Sequence, residues 1–276
     1  MENKVILESS LLDAVKGATL FYPCSGMDLF TPVEIFSSHI DDFWLVDRGY
    51  FAPGHQDTRG SGYDAPADEQ PPVLKGKSDY EFIEKSIEGP PSWNWHDRDI
   101  EPCLVTEKYL HRPTESHITV RRRRGYGYSA FRKEKDISPL GVFFYRGDSM
   151  GEGGSGNIWF TKEHLAEICY KLVDKGLIVT DSCGSIYRGI KGNWGCFDLG
   201  AYSRPDSMTP DYILEEAKKR SFSQVGCQFN CVGYLGHWRG PTLVWQVKKV
   251  SRIPRNPGPY PPSKYQEAPR VKSIFR

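Results

Sequence analysis

The stretch Ala18-Thr19-Leu20-Phe21-Tyr22, followed by Pro23-Cys24-Ser25-Gly26-Met27-Asp28, decides the fold predicted for this chain. The first five residues form a continuous apolar run, which is typical of a strand buried on both faces of a parallel sheet. The next six contain a proline and a glycine, which indicate a turn. A helix is expected after the turn, because Thr31-Pro32-Val33-Glu34 combines a cap residue, a proline at the first helical position and a capping glutamate.

Further buried strands and helices are predicted along the chain. Continuous apolar runs indicate strands at residues 43–46, 140–145 and 177–179. Capping and spacing indicate a helix from Thr161, closed by Gly176, and another from Thr209 to about Arg220. Alternating polar and apolar residues predict a final antiparallel hairpin at 227–232 and 243–248. The predicted fold class is therefore α/β: a doubly wound, mainly parallel sheet with a C-terminal antiparallel hairpin, forming a three-layer sandwich.

The composition is that of a globular protein with an uneven charge distribution. The 276 residues carry a net charge of +1, with 26% charged and 38% hydrophobic residues. We expect one domain at residues 1–250, with an irregular insertion at about 53–117, and a basic, proline-rich tail at 251–276 that carries +5. The near-zero net charge argues against a strongly basic nucleic-acid coat protein.

Two features predict a soluble, cytoplasmic protein with no membrane association. No apolar run approaches the roughly 18 residues that a membrane-spanning helix requires. The seven cysteines form an odd set with scattered spacing, which favours reduced thiols over a disulfide framework. Their spacing gives no support for zinc, and no metal site is predicted.

Each buried strand is followed by a carboxylate. Asp28 lies beyond the first strand, Asp47 ends the second, Asp148 follows the third and Asp181 follows the fourth. Ligands of open parallel sheets bind beyond the carboxyl ends of the strands, so these groups are candidate site residues. The competing interpretation is that polar loops are expected at the sheet edge of any soluble α/β protein.

The strand, glycine turn, helix and strand-end acid together resemble the nucleotide half-site of class I S-adenosylmethionine-dependent methyltransferases. The final hairpin after the parallel strands is a second point of resemblance. The resemblance implies S-adenosylmethionine as the cofactor, bound by Ser25, Gly26, Asp28, Asp47 and Arg48. Asp47 would accept hydrogen bonds from two ribose hydroxyls. Asp28 would place negative charge where the pyrophosphate of a dinucleotide would sit, which disfavours NAD and FAD.

A glycine-rich segment follows the third strand and supplies the candidate catalytic groups. Asp148 and Glu152 could act as a general base or hold Mg²⁺. The glycines offer backbone N–H groups for a phosphate or acceptor: Gly151, Gly153 and Gly154. The alternative is a flexible surface lid. We predict that this segment borders the same pocket as Gly26 and Asp47, because the first and third buried strands should be neighbours.

An arginine run at residues 121–124 is the second candidate acceptor site. Residues 121–135 carry +6, and Arg121 and Arg123 lie close to tyrosines in the sequence, so nucleic acid is a candidate partner. The alternative is a strand whose arginines cover the sheet or pair with local acids. The competing functional hypothesis is therefore a non-enzymatic binding protein that engages nucleic acid or a protein partner through its basic segments. The sequence does not identify the acceptor of a methyltransferase.

Overall fold

The computed structural model describes residues 5–53, 65–94, 100–146, 162–181, 209–237 and 241–253. These residues form one large mixed sheet with short helices. The strands are β1 (Val5–Ile6), β2 (Thr19–Pro23), β3 (Asp42–Asp47), β4 (Tyr80–Glu88), β5 (Cys103–His111), β6 (Ser116–Arg124), β7 (Leu140–Tyr145), β8 (Leu172–Thr180), β9 (Phe222–Gln224), β10 (Cys227–His237) and β11 (Pro241–Lys249). The α-helices are α1 (Ser9–Leu12), α2 (Phe30–Phe36), α3 (Gly127–Lys133), α4 (Lys162–Lys171) and α5 (Pro210–Lys218), and a 3-10 turn spans Asp13–Val15.

Five parallel strands form the centre of the sheet. The strand order is β1-β10-β11-β8-β7-β2-β3-β6-β5-β4, with β9 paired to β10. The pairs β2–β3, β3–β6, β2–β7 and β7–β8 are parallel. From β2 the chain continues to β3 and β6 on one side, and later to β7 and β8 on the other. The strand order therefore reverses between β2 and β7, so these two predicted strands are neighbours, as expected.

The prediction of a doubly wound, mainly parallel α/β sandwich is wrong. Antiparallel pairs join β1, β9 and β11 to β10, and β11 to β8. On the other side of the sheet, β5 pairs antiparallel with both β4 and β6. The described part of the chain thus contains more antiparallel than parallel pairings. Its helices are also short, from four residues in α1 to ten in α4. The molecule is mostly a large mixed sheet of 11 strands.

The central strands are nevertheless buried on both faces. Successive residues of β2 belong to different apolar clusters: Leu20 packs with Val33 and Phe36 on one face, and Phe21 packs with Phe131 and other residues on the opposite face. A strand with two covered faces has no solvent side, which explains its continuous apolar sequence. Among the described residues, no helix has the length and apolar character needed to cross a membrane.

The structure changes several predicted element boundaries. Leu29, and not Thr31, caps α2, and it does so without a side-chain hydrogen bond. The helix α4 ends at Lys171 and β8 begins at the next residue, so Gly176 lies in a strand and does not close the helix. By contrast, Thr209 caps α5 and its side chain accepts a hydrogen bond from the backbone of Tyr212, and the final hairpin β10–β11 is antiparallel as predicted.

The predicted irregular insertion contains regular structure. Residues 80–88 and 103–111 form β4 and β5, which extend the sheet beyond β6. The arginine run forms the end of β6. These strands lengthen the sheet on the side of β3, while β10 and β11 lengthen it on the side of β8.

Candidate functional site

The turn after β2 occupies the edge of the sheet at which the parallel strands end. Because β2 runs parallel to β3 and β7, the carboxyl ends of these three strands lie at the same edge. The turn starts at Cys24 and passes through Gly26 to Asp28. It begins at the position where the strand order reverses, which is where open parallel sheets bind ligands.

Asp47 joins this turn to the end of β3. Its Oδ2 accepts a hydrogen bond from the backbone N–H of Gly26 at 3.0 Å. Its Oδ1 accepts one from the N–H of Gly49 at 2.7 Å. The carbonyl oxygen of Asp47 accepts a third from Gly125, in the turn after β6, at 3.0 Å. One half-buried residue therefore positions three turns at the carboxyl edge.

Ser25 makes a second connection between the turn and β3. Its backbone N–H and its hydroxyl both donate to the carbonyl oxygen of Val46, at 3.0 and 3.2 Å. The hydroxyl also lies 2.5 Å from the hydroxyl of Tyr50. Either hydroxyl can be the donor in this contact.

An ion pair joins the other end of the turn to β7. Arg146, the residue directly after β7, donates from Nε to Oδ2 of Asp28 at 2.6 Å. Both side chains are buried. The hydroxyl of Tyr22 donates to the carbonyl oxygen of Arg146 at 3.0 Å and lies 3.3 Å from the same oxygen of Asp28. The turn is thus held from β3 by Asp47 and from β7 by Arg146.

The environment keeps the two tyrosines of this edge neutral. Burial raises the pKa of Tyr22 well above its ordinary value, and the negative charges of Asp28 and Asp181 raise it further. Burial and the charge of Asp47 likewise raise the pKa of Tyr50. A protonated phenol can donate a hydrogen bond, and Tyr22 does so to the carbonyl oxygen of Arg146.

Two residues beside the site have left-handed backbone conformations that L-residues rarely adopt. Cys24, in the turn, has a φ of 54°, and Phe51, in the loop after β3, has a φ of 60°. Such residues cost about 1–3 kcal/mol each and persist where the surroundings hold them in place. Gly26 has a φ of 55°, which glycine adopts without strain.

The structure brings together four of the predicted cofactor residues and places the fifth beside them. Ser25, Gly26, Asp28 and Asp47 lie in or against the turn. Arg48 is exposed, and its guanidinium lies 5.7 Å from the ring centroid of Tyr126. The remaining predicted residues lie outside the described part of the chain: Asp148, Gly151, Glu152, Gly153 and Gly154. Their shared pocket with Asp47 stays a prediction.

The arginines of β6 contact groups of their own chain. Arg121 forms an ion pair with Asp42, and Arg123 donates from Nε to Glu134 at 2.9 Å. Arg122 and Arg124 alternate with them and are buried. This is the alternative weighed for the run, in which arginines pair with local acids and cover the sheet.

The two buried arginines hold loops against the sheet. Arg122 pairs with buried Glu107 at 2.7 Å and donates to Gln70 at 2.6 Å. Arg124 donates from Nε to the carbonyl oxygen of Glu101 at 2.7 Å and from Nη2 to that of Pro90 at 2.9 Å. These contacts explain why charged residues occupy inward positions of a strand.

Sequence reasoning did not select Tyr22, Tyr50 and Arg146 as site residues. A usable signal existed: Tyr22 lies near the end of β2, Tyr50 lies in the turn after β3, and Arg146 follows β7 directly. The predicted site groups were carboxylates at strand ends, whereas in the structure a phenol and a guanidinium position one of those carboxylates, Asp28.

A surface depression lies at the opposite edge of the sheet. It has a volume of about 430 Å³ and is lined by Tyr170, Lys249, Ser251, Arg252 and Ile253. Lys249 ends β11, which runs antiparallel to β8, so the depression adjoins the edge at which the parallel strands begin. We place the candidate ligand site at the carboxyl edge for three reasons. The strand order reverses there, the turn after β2 is held by Asp47 and Arg146, and Cys24 and Phe51 have left-handed backbone conformations.

In the part of the chain that the structure describes, no group of three or more histidine, cysteine, aspartate or glutamate side chains is placed to hold a metal ion. Comparison with protein-family models, with curated proteins and with solved structures found no match to this chain.

Proposed function

We propose that this protein binds S-adenosylmethionine, or a related adenosine ligand, at the turn after β2, and that it is a divergent relative of class I S-adenosylmethionine-dependent methyltransferases. The observation that carries the proposal is the hydrogen bond from the Gly26 N–H to Oδ2 of Asp47 at 3.0 Å. It joins the glycine turn and the strand-end acid, the two features on which the sequence resemblance depends.

The order of the strands supports this location. Five parallel strands lie at the centre of the sheet, and the antiparallel hairpin β10–β11 follows on the side of β8. The order reverses at β2 and β7, so a crevice between their following loops is the expected ligand position.

The residues fit an adenosine ligand in two respects. Gly26 has no side chain, so a ligand can approach its backbone closely. Each carboxylate oxygen of Asp47 can accept more than one hydrogen bond, so its contacts with Gly26 and Gly49 are compatible with further bonds to ribose hydroxyls. When bound, S-adenosylmethionine would supply an activated methyl group, while the residues described here bind and orient it.

The structure changes the argument about dinucleotides. From the sequence, Asp28 was expected to place a negative charge at the phosphate position, whereas the guanidinium of Arg146 offsets that charge at 2.6 Å. Asp28 is therefore a residue that positions the turn. Asp47 would accept hydrogen bonds from the adenosine ribose of NAD as well, so NAD is a comparison ligand in the experiment below.

Polyanion binding through the basic segments has less support. Arg121 and Arg123 contact Asp42 and Glu134, and Arg122 and Arg124 are buried. The net charge of the tail at 251–276 is the remaining argument for a nucleic-acid partner.

A cytoplasmic location fits the proposal, since the described thiols of Cys103, Cys169, Cys227 and Cys231 are not joined in disulfides.

Calorimetry of the full chain tests the proposal. We expect S-adenosylmethionine and S-adenosylhomocysteine to bind below millimolar concentration, and NAD to bind more weakly. Asp47→Ala should lower the affinity about tenfold to hundredfold, because hydrogen bonds to a charged acceptor are lost. Asp13→Ala is the matched control, since that carboxylate is exposed and lies before β2.

Two results would contradict the proposal. One is that neither adenosine ligand binds to the folded wild-type chain. The other is that Asp47→Ala binds as tightly as Asp13→Ala. Because Asp47 also holds the turn, circular dichroism and the unfolding midpoint of each variant establish that a loss of affinity is not a loss of fold. Asp47→Asn, which keeps the shape of the side chain, provides the second variant.

A further inference from the structure

The surface depression at the amino edge of the parallel strands contains two cationic side chains. Its volume is about 430 Å³, and its lining residues are Tyr170, Lys249, Ser251, Arg252 and Ile253. Tyr170 lies in the last turn of α4, and the other four residues belong to the end of β11 and the segment that follows it. Small-molecule pockets in proteins have volumes of about 300–1,000 Å³, so the depression is large enough for a small ligand.

Contacts with Gly226 hold the segment after β11 in place. The backbone N–H groups of Val250 and Ser251 both donate to the carbonyl oxygen of Gly226, at 3.0 and 3.1 Å. Gly226 has a φ of 79°, and a Cβ atom there would lie 3.0 Å from the carbonyl oxygens of Ser251 and Arg252. Ile253 is buried in the apolar cluster that includes residues of α4. The side chains that line the depression are therefore carried by a backbone fixed at both ends of the segment.

The two cations of the depression have no carboxylate partner among the described residues. Neither Lys249 nor Arg252 forms an ion pair in the ranges that the structure describes. The ammonium of Lys249 donates to the carbonyl oxygen of Tyr170 at 3.4 Å, and its backbone N–H donates to Oδ1 of Asp174 at 2.9 Å. These three charged side chains together carry +1, so the depression favours an anion.

We propose that this depression binds a small phosphate monoester that carries an aromatic ring. The guanidinium of Arg252 can donate two parallel hydrogen bonds to phosphate oxygens, and the ammonium of Lys249 adds a second positive charge. The hydroxyl of Ser251 supplies a further donor. The ring of Tyr170 is half exposed and offers a flat surface against which an aromatic ring of the ligand packs.

This site is separate from the proposed adenosine site. The turn after β2 lies at the carboxyl edge of the parallel strands, whereas the depression adjoins the edge at which they begin. S-adenosylmethionine and S-adenosylhomocysteine contain no phosphate, so neither has the group that Arg252 and Lys249 would bind. Either proposal can therefore fail without the other.

Calorimetry of the full-length protein with phenyl phosphate tests this inference. The probe combines a phosphate with an aromatic ring and contains no adenosine. We expect it to bind below millimolar concentration and inorganic phosphate to bind more weakly, because inorganic phosphate has no ring to pack on Tyr170. The affinity for phenyl phosphate should be the same with and without S-adenosylhomocysteine.

Three variants and a control assign the binding to this depression. Arg252→Gln and Lys249→Gln should each lower the affinity for phenyl phosphate about tenfold to hundredfold, because a hydrogen bond between charged groups is lost. Tyr170→Leu should weaken the binding of phenyl phosphate and leave that of inorganic phosphate unchanged. Lys248→Gln is the matched control, since Lys248 is exposed and its side chain points to the other face of β11.

Several results would overturn the inference. One is that phenyl phosphate does not bind the folded wild-type protein, and another is that S-adenosylhomocysteine displaces it. Equal losses of affinity in Lys248→Gln and Arg252→Gln would show that general charge, and not this depression, attracts the probe. Equal affinities for phenyl phosphate and inorganic phosphate would show that the ring is not recognised.

Discussion

The guanidinium of Arg146 donates from Nε to Oδ2 of Asp28 at 2.6 Å, and this buried ion pair joins the end of β7 to the turn after β2. The same turn is joined to β3 by the hydrogen bond from Gly26 to Asp47. A turn fixed from both neighbouring strands presents its backbone in one conformation, which lowers the entropic cost of binding a ligand.

Removing the cation of this pair should destabilise the protein strongly. Arg146→Met leaves the carboxylate of Asp28 buried without its partner, and we expect the free energy of unfolding to fall by about 3–5 kcal/mol in urea denaturation. Lys218→Met is the control, since the pair of Lys218 with Glu215 is exposed. The double variant Asp28→Asn/Arg146→Met should recover part of the loss. Equal stability of Arg146→Met and Lys218→Met would contradict this role.

Arg124 should be required for stability, because it holds backbone carbonyls of separate loops. Arg124→Lys keeps the charge but cannot reach both Glu101 and Pro90, and it should lower the free energy of unfolding by about 2–4 kcal/mol. Arg112→Lys is the matched control: Arg112 also bonds a carbonyl oxygen, that of Ser78, but is exposed. If the two variants have the same unfolding midpoint, the described role of Arg124 is wrong.

A side chain at Gly141 should not fit between β7 and the residues that precede β2. A Cβ atom there would lie 2.8 Å from Cβ of Ala18 and 3.0 Å from Cβ of Val15. We expect Gly141→Ala to cost about 1–3 kcal/mol in thermal or urea unfolding. Ala18→Gly should cost less in the Gly141→Ala background than in the wild type, because it removes the closest contact. Independent, additive effects of the two changes would argue against this crowding.

His111 should make stability depend on pH in the weakly acidic range. Burial lowers the pKa of His111 below its ordinary value of 6.5, with Asp79 opposing the shift. The unfolded chain therefore takes up a proton at His111 at a higher pH than the folded chain does. Stability from this residue is present above about pH 6.5 and is lost as the pH falls through the lowered pKa. Urea unfolding between neutral and weakly acidic pH should show a smaller decline for His111→Gln; parallel declines would contradict this.

The central strands could be predicted from the sequence because both of their faces are apolar. In β2, β3 and β7 the buried positions on both faces are apolar except for Thr19, so continuous runs such as residues 140–145 identify strands almost to the residue. The hairpin β10–β11 was predicted from alternation. Burial alternates in the first half of β10, whereas residues 242–245 of β11 are all buried.

The strands β4 and β5 were not recognised from hydropathy, and β6 was predicted only as one of two alternatives for the arginine run. Most of β4 is exposed at the edge of the sheet, so it has no apolar periodicity. In β5 and β6, charged residues occupy inward positions: Glu107 faces Arg122, and Arg124 follows on the same face. A buried ion pair satisfies these groups only once the fold brings the strands together, and no local pattern reveals the pairing.

Only part of the candidate site could be predicted, because some of its contacts join residues that are far apart in the sequence. Gly26 and Asp47 were selected because their spacing and strand-end positions are visible in the sequence. The role of Asp28 depends on Arg146, which is 118 positions further along the chain, and only the parallel pairing of β2 with β7 brings them together.

The most direct test of the proposed adenosine site is to map binding on backbone amides. In the isotopically labelled full chain, titration with S-adenosylhomocysteine should shift the amide signals of Gly26 and Gly49, which contact Asp47 at the carboxyl edge. The amides of Lys249 and Arg252, at the opposite depression, should not move. Shifts confined to Lys249 and Arg252, or no shift at Gly26 with ligand at millimolar concentration, would contradict the account.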